Sequence, residues 1–266
     1  MFYLDLAKRG ETCSTSPVKG ITITADAHGI AEIVMNRPPV NALHVAGWYA
    51  LADALRAAGS NPDVRVVILR ADGRGFNAGV DIKEMQATEG FSALIGANRG
   101  CYAAFKAVYE CEVPVIAAVH GYCLGGGIGL VGNADIIIAS EDASFGLPEV
   151  DRGALGAATH LARLVPQHKM RAMVYTATRA SAQELLHYGS VLQVVPRDQL
   201  VQAARAVAMQ IAEKRPNVIR AAKQALNGID PIDVNQSYRY EQGFTYELNL
   251  AGDGDAARDA FVEKKE

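Results

Sequence analysis

The chain reads as an α/β fold, an open parallel sheet followed by a helical last third. Three observations predict it. Short, mostly apolar and β-branched runs at 64–69, 115–119 and 136–139 have the character of strands buried on both faces of a parallel sheet. The order strand, glycine loop, helix, strand occurs twice, as a repeated crossover unit would produce. After Glu149 the pattern changes to a succession of helical segments with no linker of their own.

Taken in order, residues 1–19 mix charges, Ser, Thr and Pro without period and read as a loosely held leader. Alternation at 21–25 and 30–35, on either side of Asp26, Ala27, His28 and Gly29, predicts a hairpin with glycine supplying the turn. Asn36, Arg37, Pro38 and Pro39 stop its second strand, and Trp48, Leu51, Ala52 and Leu55 recur at helical spacing until Gly59, Ser60, Asn61 and Pro62. The strand at 64–69 leads to a glycine-spaced loop at 73–79. A helix over 93–109, broken before Pro114, returns the chain to the strand at 115–119. Helices are expected at 155–164, 169–176, 182–187, 199–213 and 218–226.

Composition narrows the function classes. In 266 residues, 50% hydrophobic, 26 basic side chains stand against 29 acidic ones, and no Lys or Arg run forms a stripe for nucleic acid. Cys13, Cys101, Cys111 and Cys123 lack CxxC spacing and read as free thiols of a reducing compartment, and no two histidines have metal-binding spacing, so no metal is expected. No apolar run approaches the roughly 18 residues of a membrane span, and the charges of the first residues follow the apolar ones, opposite to a signal peptide. A soluble cytoplasmic protein with no membrane partner is the expectation.

Chemistry gathers around two glycine loops. The run from Gly121 through Gly125, Gly126 and Gly127 to Asp135 puts three glycines at the mouth of a short helix, where free backbone N–H groups and the helix dipole favour an oxyanion. The first loop offers the Val80 N–H and the second the Gly126 N–H, and two converging donors are what a polarised carbonyl needs. Neither loop has GKS or GKT, which argues against a P-loop nucleotide cradle. Glu149 and Asp151 are the nearest carboxylates. If the segment is extended they face the same side and split their pKa values; otherwise one pairs with Arg152 or caps the next helix. His44, His120 and His160 are open to either a structural or a chemical reading. The segment containing Tyr238, Tyr240, Glu241, Phe244 and Glu247 reads as an interface, a substrate wall, or both.

Asn36-Arg37-Pro38, Asn41-Ala42-Leu43, the stretch from Gly75 to Met85, Pro114 to Gly121, Gly125-Gly126-Gly127, Ala134-Asp135, Phe145 to Glu149 and the tail Ala260 to Lys264 together resemble the crotonase, or enoyl-CoA hydratase/isomerase, superfamily. The resemblance runs from about Ile21 to the end. It implies a crotonase-like spiral of ββα repeats over 1–195, leader included, and a C-terminal helical trimerisation region over 196–266, assembling as a homotrimer or a hexamer. It also implies an acyl-CoA thioester whose carbonyl is held by the Val80 and Gly126 N–H groups. Coenzyme A, part of the substrate and no separate cofactor, would lie along Arg37, Ala42, Asn77, Ala78, Asp81 and Ile82, with Phe261 and Lys264 near its nucleotide end.

Gly129 departs from the pattern, since hydratases of the superfamily carry there the glutamate that pairs with the one matched by Glu149. The stretches 75–85, 124–135, 145–165 and 241–251 instead look like the superfamily's ring-opening hydrolases of bacterial steroid catabolism. That likeness implies hydrolytic opening of the five-membered ring of a bicyclic indene-dione CoA thioester left from rings C and D of cholesterol or a bile acid. Glu149 and Asp151 would be catalytic, with His44, His120, Tyr240, Glu241 and Glu247 on the substrate side. An enoyl-CoA isomerase or atypical hydratase using Glu149 alone, and a silent acyl-CoA binding subunit, are the other readings.

Overall fold

The computed structural model describes residues 20–263, with backbone only at 258 and 261–263. β1 (Ile21–Ala25) and β2 (Ile30–Met35) form the antiparallel hairpin, closed by Gly29 at a φ of 77° and by the Asp26 carboxylate, which accepts the His28 and Ile30 amides. α1 (Val45–Ser60) carries the chain to β3 (Val66–Ala71), and α2 (Ile82–Gln86) and α3 (Ser92–Tyr109) carry it to β4 (Val115–Val119). β5 (Tyr122–Leu124), α4 (Gly126–Val131), β6 (Ile136–Ser140) and β7 (Ser144–Gly146) follow, then a 3-10 turn (Glu149–Arg152), α5 (Ala158–Leu161) and α6 (Gln167–Thr176). β8 (Arg179–Ser181), α7 (Ala182–His187) and β9 (Gln193–Val195) precede the helices α8 (Leu200–Ala212), α9 (Pro216–Gly228), α10 (Val234–Leu250) and α11 (Asp253–Glu263).

The large sheet has the order β1-β2-β3-β4-β6-β9 and is parallel beyond the first hairpin; a smaller sheet has the order β5-β7-β8. β4 and β6 each hand the chain on to a short strand of the second sheet, which gives the structure its spiral of repeats. Period-two alternation splits the strands between two cores. Val67, Leu69, Val115 and Ala117 join Trp48, Leu51, Leu55 and Phe105 under α1 and α3. Val66, Ile68, Ile116 and Ile138 face the other way and are covered by Leu200, Ala204 and Ala208 of α8.

Three expectations change. The helix foreseen at 155–164 shrinks to α5, because Gly153 and Ala157 take left-handed backbone at φ of 61° and 62° and hold the intervening residues as a loop. The strands β5, β7, β8 and β9 are three residues long, too short for alternation to announce them. The aromatic segment near the C-terminus is the long helix α10. Among the described residues no helix is long and apolar enough to cross a membrane, and Cys101, Cys111 and Cys123 are buried free thiols. The leader, Cys13 and Lys264 lie outside the described residues, as does the Phe261 side chain.

Candidate active site

The two glycine loops meet. Asn77, fully buried, is the stitch: its Oδ1 accepts the Gly79 amide at 2.8 Å, its Nδ2 donates to the Asn41 carbonyl at 2.6 Å, and its own carbonyl accepts the Leu124 amide at 2.9 Å. Gly79 and Gly125 adopt φ of 87° and 55°, and the loops approach so closely that a β-carbon on Gly79 would lie 3.2 Å from the Gly126 nitrogen. Val80 and Gly126 border one cavity, and neither amide donates to a backbone carbonyl among the described residues. Two adjacent unspent N–H groups are a ready oxyanion site.

That cavity, of about 110 Å³, has an apolar wall from α3 and a floor from α10. Leu94, Ala97, Asn98, Cys101 and Phe105 recur at helical spacing and present one face of α3 to it. Phe105 packs edge-on against Trp48 and His160 and tilted against Tyr238, with centroids 5.7, 5.1 and 5.2 Å away. A β-carbon built on Gly129 would collide with the Phe105 ring. The aromatic ring takes the space that a side chain on α4 would need, so a second carboxylate has no place there. His160 belongs to this packing, since burial, and then Arg163, push its pKa down to about 3 and leave it a neutral ring in the core.

Glu149 opens the 3-10 turn and lines the cavity. A β-carbon on Gly125 would strike its Oε1, whereas its Oε2 is sealed from solvent and has no hydrogen-bond partner among the described residues. Desolvation raises its pKa to about 8, against the opposing effects of its own backbone amide and of the Arg152 charge; Glu241 adds repulsion in the same direction as burial. The turn is held from α10: Thr245 accepts the Leu155 amide at 3.1 Å and donates to the Leu155 carbonyl at 2.7 Å. Glu241 accepts the amides of Ala158 and Thr159 at 2.9 and 3.2 Å, capping α5, whose own cap position, Ala157, has no side chain to do so.

Comparison with known proteins agrees with this geometry. The family model for enoyl-CoA hydratase/isomerase matches residues 25–266. The chain belongs to the enoyl-CoA hydratase/isomerase family. It is 66% identical over 244 residues to the (7aS)-7a-methyl-1,5-dioxo-2,3,5,6,7,7a-hexahydro-1H-indene-carboxyl-CoA hydrolase of Rhodococcus jostii RHA1, covering 92% of this chain and 95% of that one. The enzyme of the same name from Mycobacterium tuberculosis H37Rv is 67% identical, covering 92% and 99%. The crystal structure of an enoyl-CoA hydratase from Mycobacterium avium subsp. paratuberculosis K-10 superposes with a TM-score of 0.82 at 24% identity, covering 92% and 100%, which shows the shared fold.

Within this enoyl-CoA hydratase/isomerase member, several residues singled out from the sequence have other work. Asp151 does not face the cavity with Glu149. The segment is a 3-10 turn and not a strand, so residues two apart diverge, and Asp151 is exposed. His44 caps α1, its Nδ1 accepting the Gly47 amide at 3.2 Å, and His120 sits at the Gly73 carbonyl, 3.1 Å from it, with its pKa lowered by burial and then by Arg197; neither lines the cavity. Tyr240 and Glu247 lie on the outer face of α10 and are exposed, while Tyr238, Thr245 and Asn249 look inward.

On the side assigned to coenzyme A, Asn77 is spent inside the loops, and Asp81 caps α2 and pairs with Arg37 at 2.8 Å. Arg37 also donates to the Ala42 carbonyl, which gathers these three residues at one edge, and Ala78 and Ile82 line the cavity mouth beside Val80. Sequence reasoning named Arg152 only as an ion-pair partner and missed its place in the cavity and the α3 wall, although the spacing of Leu94, Ala97, Cys101 and Phe105 carries the signal of a helix face. Among the described residues no His, Cys, Asp and Glu cluster is arranged to hold a metal ion.

Proposed function

We propose that the chain hydrolyses a carbon–carbon bond in the five-membered ring of a bicyclic indene-dione carboxyl-CoA thioester, the class of compound for which its Rhodococcus and Mycobacterium relatives are named. A 7a-methyl indene-dione keeps two fused rings and the angular methyl of a steroid, so the reaction belongs to steroid breakdown. One observation carries the reading: among the described residues that line the cavity there is one carboxylate, Glu149, with an oxygen free of any hydrogen-bond partner, opposite a wall where Phe105 leaves no room for a second acid at Gly129. Syn addition of water across a double bond asks for two carboxylates. Activation of one water molecule asks for one.

In this reading Glu149 removes a proton from water and the hydroxyl oxygen adds to the ring ketone. The tetrahedral adduct collapses, the bond between the former ketone carbon and the quaternary ring carbon breaks, and its electron pair passes through the conjugated double bond to the thioester oxygen. Val80 and Gly126 N–H groups stabilise that enolate more than the neutral thioester, which is the differential binding that accelerates the step. The proton held by Glu149 returns to carbon, and a new carboxylate appears at the opened end. Every step uses water and the chain's own groups.

Arg37, Ala42, Ala78, Asp81 and Ile82 lie at the edge where the coenzyme A arm would run. Self-association belongs to the reading as well, as a trimer or a pair of trimers built on the helical region after residue 195. Its support is the apolar surface of α9, its C-terminal cap and α10, where Val218, Leu226, Ile229 and Leu250 are 60–76% exposed. A coenzyme A ester as substrate is the ground for a cytoplasmic location.

Mass spectrometry after incubation with the bicyclic CoA thioester in ¹⁸O-labelled water is the test. Ring opening places one labelled oxygen in a new carboxylate and leaves coenzyme A attached. Label on a carboxylate released with free coenzyme A, the rings intact, would mean thioester hydrolysis, and turnover of a 3-enoyl-CoA without ring opening would mean isomerase action.

A further inference from the structure

We propose that Arg152 is a second oxyanion site: its guanidinium holds the oxygen of the ring ketone while water adds, and then the carboxylate that ring opening creates. The proposal rests on the ring-opening reading above. Hydrolysis of a ring ketone develops negative charge on two oxygens that are several bonds apart, first on the ketone and then on the thioester. The Val80 and Gly126 amides, side by side in the meeting loops, can serve only one of them.

Arg152 is placed for the other. It stands three residues after Glu149 in a 3-10 turn, where side chains at i and i+3 eclipse, so the acid and the cation share one face. Both line the cavity, and Arg152 is the one cation among the described residues that do. Glu149 therefore shares the cavity with Arg152 and not with Asp151.

The surroundings suit an anion that forms during the reaction. Glu149, Asp151 and Arg179 are among the charged groups acting on Arg152; burial lowers its pKa, but a guanidinium remains charged at any working pH. Asn98 Nδ2, enclosed on the α3 side without a partner among the described residues, is a neutral donor and a weaker match for an alkoxide. As hydroxide oxygen adds to the ketone carbon, the carbonyl π pair moves to oxygen and meets the guanidinium. When the ring bond breaks, that pair reforms C=O, and the resulting carboxylate presents two oxygens to the planar fork of donors. The proton lost by the new carboxylic acid goes to solvent.

The test compares Arg152→Met and Arg152→Lys with the wild-type enzyme on the bicyclic thioester, with the ring-opened product as an inhibitor, and with cyclohexenecarboxyl-CoA, a thioester that has no ring ketone. Arg152→Met is expected to lower kcat by about 10²- to 10³-fold, the size of effect seen when one oxyanion donor is lost. It should weaken product inhibition by about tenfold or more while binding the ketone-free thioester as the wild type does, and Arg152→Lys should recover part of the rate. Ring opening by the Met variant at close to the wild-type rate would overturn the proposal, as would parallel loss of affinity for product and ketone-free thioester. A wild-type enzyme that leaves the ring closed would overturn the ring-opening reading itself, a result separate from either.

Discussion

Glu149 and Glu241 are carboxylates enclosed in the same corner of the molecule, and burial raises the pKa of each. They differ in what they touch. Glu241 is satisfied by two backbone amides and the Thr159 hydroxyl, and it substitutes for the missing cap of α5. Glu149 keeps one oxygen without a partner and faces an apolar cavity beside two unspent amides. Burial alone therefore does not mark a catalytic acid. The unsatisfied lone pair does, since an enclosed polar atom without a partner costs free energy unless substrate or water meets it.

Breaking the contrast at Glu149 should give the largest effect. Glu149→Gln is expected to lower kcat for ring opening by about 10³-fold, the scale of losing a general base, with substrate binding retained. The same variant should gain stability with pH. A carboxyl whose folded pKa, about 8, lies above its ordinary value of 4.5 favours the folded state when protonated, so its contribution is complete below 4.5 and lost as pH rises through 8. Thermal unfolding should show the Gln variant equal to wild type near pH 4.5 and more stable by a few kcal/mol, on the order of the linkage for that shift, above pH 8.

Glu241→Gln should do less, and something different. Weakening the cap of α5 is expected to cost about 1 kcal/mol in denaturant unfolding. Removing its charge also removes repulsion from Glu149, so the pH–rate profile should move to lower pH while the maximal rate falls only a few-fold. Asp151→Asn, at an exposed position outside the cavity, should change kcat/KM by less than about twofold. A large loss there would return Asp151 to the site.

The sequence carries the contrast unevenly. Gly79, Gly125 and Gly126 announce the meeting of two loops because only glycine permits their backbone and close approach, and Val80 and Gly126 follow from them. Strands buried on both faces declare themselves by mostly apolar runs. The segment after Pro148 does not, because an extended chain and a 3-10 turn both accept Glu-Val-Asp-Arg, yet the first pairs Glu149 with Asp151 and the second pairs it with Arg152. Phe105 was readable as part of a helix face, but nothing local says that its ring meets Gly129 across 24 residues of chain. Glu241 and Tyr240 are neighbours in sequence with opposite fates, set by which side of α10 packs on the core.

The pH dependence of kcat/KM for ring opening tests most directly whether the unsatisfied carboxylate is the base. With Glu149 in that role, the rate rises about tenfold per pH unit through the acid range and levels near pH 8, and this limb disappears in Glu149→Gln. A wild-type profile flat between about pH 6 and 9, or one that levels near the ordinary carboxylate value of 4.5, would contradict it.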